Sequence, residues 1–231
     1  MKSNIIQFIN MKKLIFGFIA TIMVTTLSFG QSIGLDYFAK LDPIKTAQIH
    51  NEVVSGIIKL QKEDPKLSIK DALLKININL STDDKLAIYD YISENYIAEQ
   101  NFKKLILNLK SEKAKVIYTN INSLINNYAD YNSLIKTIDD ELLIANKELT
   151  GFDLKVIQLF AETSKASANY WHNQYSSNSS TNRAKWITKD GNGIAQASVG
   201  WAIGAAFCGG GPASYFIACG VGGALASIWP D

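Results

Sequence analysis

"LDPIKTAQIHNEVVSGIIKLQKED", residues 41–64, decides the fold class because it holds a helix start, an apolar stripe and a stop in one stretch. Asp42 places an acceptor side chain at the cap, and Pro43 follows at the first helical position, where its missing N–H costs nothing. Ile44, Ala47, Val54, Ile57, Ile58 and Leu60 supply the apolar stripe at helical spacing, and Pro65 ends it. The period is that of a helix with one buried face, so the chain is expected to begin its core with a long amphipathic helix.

The same grammar repeats downstream. Ser68, with Asp71 three residues on, opens a helix that turns Ile69, Ala72, Leu73 and Ile76 inward. Ser81 or Thr82 caps the next. Asp83 and Asp84 lie at the positive end of its dipole, and Leu86, Ile88, Tyr89, Ile92 and Tyr96 form its buried side. Residues 102–149 repeat the pattern twice; "KAKVIYTNINSLINNYADYNSLIKTIDDELLIANKEL" reads as one long helix or as two broken near Asn126 to Asp130. Gly151 marks a break, and a last helix to Trp171 carries Leu154, Val156, Ile157, Leu159, Phe160 and Ala161. No strand-like alternation with turn chemistry intervenes. The expected fold is all-α: a bundle of five or six amphipathic helices over residues 31–171, followed by a Gly/Ala-rich helical hairpin tail.

Residues 1–30 stand outside that bundle. "MKKLIFGFIATIMVTTLSFGQ", from Met11, has two lysines, an apolar run and a small-residue exit, the pattern of a secretory signal peptide cut near Gly30–Gln31. The competing reading is a retained anchor, disfavoured by a short run that ends in threonine and serine. Translation starts at Met1 or at Met11, and the mature chain is the same in either case. The expected location is secreted, periplasmic or outer-envelope. With 47% apolar and 19% charged residues the chain can build a core. Loss of the three lysines of residues 1–30 takes the formal charge from +2 to −1. A mature chain so close to neutrality lacks the positive surface that a nucleic-acid binder needs.

"HNQYSSNSSTN", residues 172–182, is rich in serine and asparagine and is expected to be a polar linker. Beyond it lies a tail, residues 183–231, with no charge from Gly191 to Pro230. Buried charge is costly in lipid, so a run this long raises a membrane role. "GGGP", Gly209 to Pro212, divides it into halves too short for a single span of roughly twenty apolar residues. Both halves instead carry small residues at four-residue spacing, including Gly200 with Gly204 and Ala218 with Gly222 and Ala226, which let helix backbones approach closely. Trp186, Trp201 and Trp229 are candidates for the headgroup interface, and Arg183, Lys185 and Lys189 form a basic entrance suited to anionic lipid or to a solvated linker end. Cys208 and Cys219 are the two cysteines of the chain, and in an exported protein they read as a disulfide closing a bend. Such a loop would add roughly 3 kcal/mol of stability by chain entropy.

The tail resembles small membrane-permeabilising bacteriocins, especially two-peptide types built around GxxxG motifs. The resemblance covers about residues 183–231 and rests on composition, on Gly200-x-x-x-Gly204 and on the Cys208/Cys219 pair. Members of that family usually carry a short double-glycine leader, where this chain has a signal peptide and a large helical region. The "HNE" of His50 to Glu52 makes the helical region similar to uncharacterised secreted bacterial proteins with glycine-rich tails.

Catalytic signatures are not found. His50 and His172 have no i, i+4 histidine partner, the paired aspartates of "STDDKL" and "TIDDELL" suit helix starts, and "GGG" lacks the lysine and serine of a phosphate loop. No cofactor, metal site or enzymatic activity is expected. Two readings follow. In one, the tail is membrane-active, an antibacterial pore former in its sharpest form, with membrane lipid or a second tail as partner and an immunity protein left unidentified. In the other, a non-lytic secreted or envelope-associated binding protein packs its tail on the bundle or uses it as an anchor.

Overall fold

The computed structural model describes residues 40–95, 109–127 and 130–174, together with residues 187, 217, 220–225 and 228. The described residues are mostly helical and contain no strand, in line with the helical periodicity. Six helices follow in order: α1 (Pro43–Glu63), α2 (Ile69–Lys75), α3 (Thr82–Asn95), α4 (Glu112–Asn127), α5 (Tyr131–Glu148) and α6 (Gly151–Gln174). Helical backbone recurs in the tail at 187, 217, 220–225 and 228. The bend expected at Gly209 to Pro212 in the Gly/Ala-rich tail falls outside the described residues.

Local chemistry sets the helix ends. The Asp42 carboxylate accepts hydrogen bonds from the Ile44 and Lys45 N–H groups at 3.0 and 3.1 Å, with Pro43 at the first position. Asp64 closes the same helix, with Pro65 beyond it. Ser68 and Ser81 cap α2 and α3 in the same way. Each hydroxyl accepts from the N–H three residues on and donates to that residue's carboxylate, Asp71 or Asp84, at 2.6 Å. Between α4 and α5 the chain breaks: Asp130 accepts from the Ser133 N–H at 2.9 Å and starts a separate helix. The two-helix alternative for residues 113–149 is therefore the observed one.

α6 is the centre of the bundle. It packs most extensively on α1 and also touches α5 and α4, while α2 bridges α1 and α3. Val156, Ile157, Leu159, Phe160 and Ala161 are all buried on it, and the Phe160 ring lies 4.4 Å from that of Tyr118 on α4. Two side chains tie elements together by bonding to backbone groups at helix ends. Asp153 of α6, itself buried, accepts from the Lys110 and Ser111 N–H groups at 2.9 and 2.8 Å and fixes the entrance of α4. Lys85 of α3 donates to the Ile76 and Leu74 carbonyls at 2.7 and 3.4 Å, closing the end of α2. Burial holds the Lys85 ammonium below the usual lysine range.

Two expectations need correction. Ile44, assigned to the apolar stripe of α1, is 56% exposed; the buried face instead runs through Thr46, Ala47, His50, Val53, Val54 and Ile57. The final helix continues through Gln174, so the first three residues of the expected linker are helical. Contacts explain the extension: the His172 ring stacks on Tyr131 at 4.6 Å, and the Asn173 amide donates to Asn169 Oδ1 one turn earlier at 3.1 Å.

Candidate functional site

α1 is covered from two sides. Thr46, His50, Val53 and Ile57 recur at helical spacing on one face and are fully buried. α6 covers one side, where the Asn51 amide donates to the Ala166 carbonyl at 2.8 Å. Two polar contacts of the face lie within α1. Thr46 Oγ1 donates to the Asp42 carbonyl at 2.7 Å, and His50 Nδ1 lies 3.0 Å from Asn51 Oδ1, to which it donates in the Nδ1-protonated tautomer. Those bonds let a threonine and a histidine occupy an interface that excludes water.

The tail covers the other side. Residues 220–225 are helical, and all six are buried; Val221, Ala224 and Leu225 belong to the same core cluster as Val53, Val54 and Phe160. Ile187 joins that cluster from the start of the tail, and Ile217 and Ile228 pack against it half-buried. A helical segment buried on every face is one that its surroundings enclose. Gly220 makes the closest approach. A Cβ built there would lie 2.6 Å from Ile49 Cγ2, 2.8 Å from Ile49 Cβ and 3.1 Å from the Thr46 carbonyl oxygen. Since Ile49 Cβ is fixed to the backbone, no rotamer relieves the clash, and only glycine fits this close approach.

Of the residues expected to associate helices, Gly222 lies in this buried segment, while Gly200, Gly204, Ala218 and Ala226 fall outside the described residues. Arg183, Lys185, Trp186, Lys189, Trp201 and Trp229, the expected membrane-interface set, also fall outside them. The described residues contain no disulfide pair, and Cys208 and Cys219 are not among them. Gly220 stands outside the small-residue pairs expected from the sequence, although it and Ala224 are themselves four apart, and both are buried.

No family model matches this chain, and comparison with curated proteins and solved structures gives no match either. The site must therefore be read from its own chemistry. Among the described residues no group of three or more His, Cys, Asp or Glu side chains is placed to hold a metal ion. No described helix is long and apolar enough to cross a membrane. Charged groups near the α1–α6 junction serve the scaffold. Lys155 of α6 donates to the Leu41 carbonyl at 2.7 Å beside the start of α1; burial lowers its pKa, with Asp42 opposing the shift. What the site offers is a fitted contact: a bulky β-branched residue and a backbone carbonyl on α1 against a glycine of the tail.

Proposed function

We propose that this is an exported, non-enzymatic helical protein that carries a bacteriocin-like, membrane-active tail and shelters part of that tail against its bundle. The observation that carries the sheltering is the complete burial of residues 220–225, with Gly220 seated on Ile49 and Thr46. The membrane half of the reading is supported by sequence: the uncharged run from Gly191 to Pro230, the four-residue spacing of small side chains, and the basic and aromatic residues that precede it. The pairing of Cys208 with Cys219 belongs to the same proposal, as a staple on the bend between the halves. Membrane lipid, or a second tail within it, is the proposed partner.

The test is dye release from vesicles of phosphatidylglycerol and phosphatidylethanolamine. Residues 183–231, oxidised, are expected to release dye, and the reduced form is expected to release less. Intact vesicles at every concentration of the oxidised segment would sink the membrane reading.

The same burial favours a second reading, in which the tail is a structural layer of a non-lytic binding or envelope protein. Removing residues 183–231 separates the two. A bundle that stays soluble and folded supports a separable tail; one that aggregates supports a tail that completes the core.

A further inference from the structure

We infer that the seat on α1 is an autoinhibitory clamp: Ile49 and the Thr46 carbonyl hold Gly220 and its helical segment against the bundle, and the chain disrupts membranes only when that contact opens. The inference rests on the membrane-active reading above and adds its regulation.

Three observations converge on the clamp. First, Val221, Gly222, Gly223, Ala224 and Leu225 are buried in the closed state, so the segment cannot present a face to lipid while it is seated. Second, the fit at Gly220 is steric and local. Two of its three nearest neighbours, Ile49 Cβ and the Thr46 oxygen, cannot swing away, so a single added carbon opposes closure. Third, α1 has ties that do not involve the tail: Asp42 caps its start, Lys155 grips the Leu41 carbonyl, and Asn51 bonds to α6. These ties anchor the seat from the bundle side when its occupant leaves, as a two-state contact requires.

The test uses the full mature chain in its oxidised form and two substitutions from opposite sides of the contact. Ile49→Arg enlarges the seat and leaves the tail sequence intact, while Gly220→Val enlarges the occupant and leaves the bundle intact. Limited chymotrypsin digestion with mass spectrometry reads cleavage after Leu225, and dye release from the same anionic vesicles reads membrane action. Both variants are expected to show cleavage and dye release raised roughly tenfold or more over the natural chain, the size of shift that one overpacked contact produces.

Equal cleavage after Leu225 in all three chains would show that the seat does not hold the segment, and the clamp would fall. Dye release by the natural chain as fast as by the opened variants would also overturn the clamp, yet leave the membrane reading standing. Opened variants that leave vesicles intact would overturn the membrane reading and the clamp with it. Circular dichroism checks the fold of each chain; if Ile49→Arg does not fold, Gly220→Val decides, because it alters no residue of the bundle.

Discussion

Gly151 shows how a single position can carry conformational demand without any packing. Its φ is +58°, in the left-handed region, and nothing lies within 4 Å of the place its Cβ would occupy. Space is therefore no obstacle to a side chain, and backbone strain alone sets the cost. Gly151→Ala is expected to lower stability by about 1 kcal/mol, and Gly151→Asn by less, read from urea denaturation midpoints. Lys165 contributes to the alkaline pH dependence. Burial lowers its pKa, but hydrogen bonds to Asp139 at 2.7 Å and to Glu162 at 3.0 Å outweigh this and raise it above the ordinary 10.5. A raised folded-state value means that the stabilisation is complete below pH 10.5 and is lost as pH climbs through the higher folded value. The stability difference between the natural chain and Lys165→Met should shrink in that alkaline window, measured by urea titration at successive pH values.

At the scale of elements, helix starts and stops were legible because they depend on residues adjacent in sequence. Asp42 with Pro43, Ser68 with Asp71 and Ser81 with Asp84 each do in space what their spacing implies. The faces were less legible. Thr46 and His50 look like surface residues by type, yet they are buried because α6 on one side and Gly220 on the other cover that part of α1. Ile44 looks like core by type, and it is exposed in the first turn. Asp153 and Lys85 act on backbone groups of other elements, so no local pattern announces them. The strongest element-level dependence is on α6. Phe160→Ala removes a fully buried ring from the helix that touches α1, α4 and α5, and it is expected to cost about 3–5 kcal/mol in chemical denaturation.

Over the whole molecule, the bundle was readable and the place of the tail was not. Amphipathic period fixes which side of a helix is buried, but a run without charge reads alike whether lipid or protein surrounds it. Burial of residues 220–225 within the cluster of α1 and α6 adds what hydropathy lacks. Amide hydrogen exchange should follow that placement: the amides of residues 221–225 are expected to be protected on the scale of those in the middle of α1, far more slowly exchanging than frayed helix ends. Exchange of those amides at the rate of an open chain would contradict the seating.

The contact between Ile49 and Gly220 joins parts of the chain about 170 residues apart, a separation that slows closure relative to local helix packing. Because synthesis runs from the N-terminus, α1 and α6 are made before the segment that covers them. For that interval the seat lacks Gly220, and a ribosome that stalls before residue 220 leaves it so. A chain interrupted before residue 220 therefore has α1 and α6 but not the close contact of Gly220 with Ile49 and Thr46.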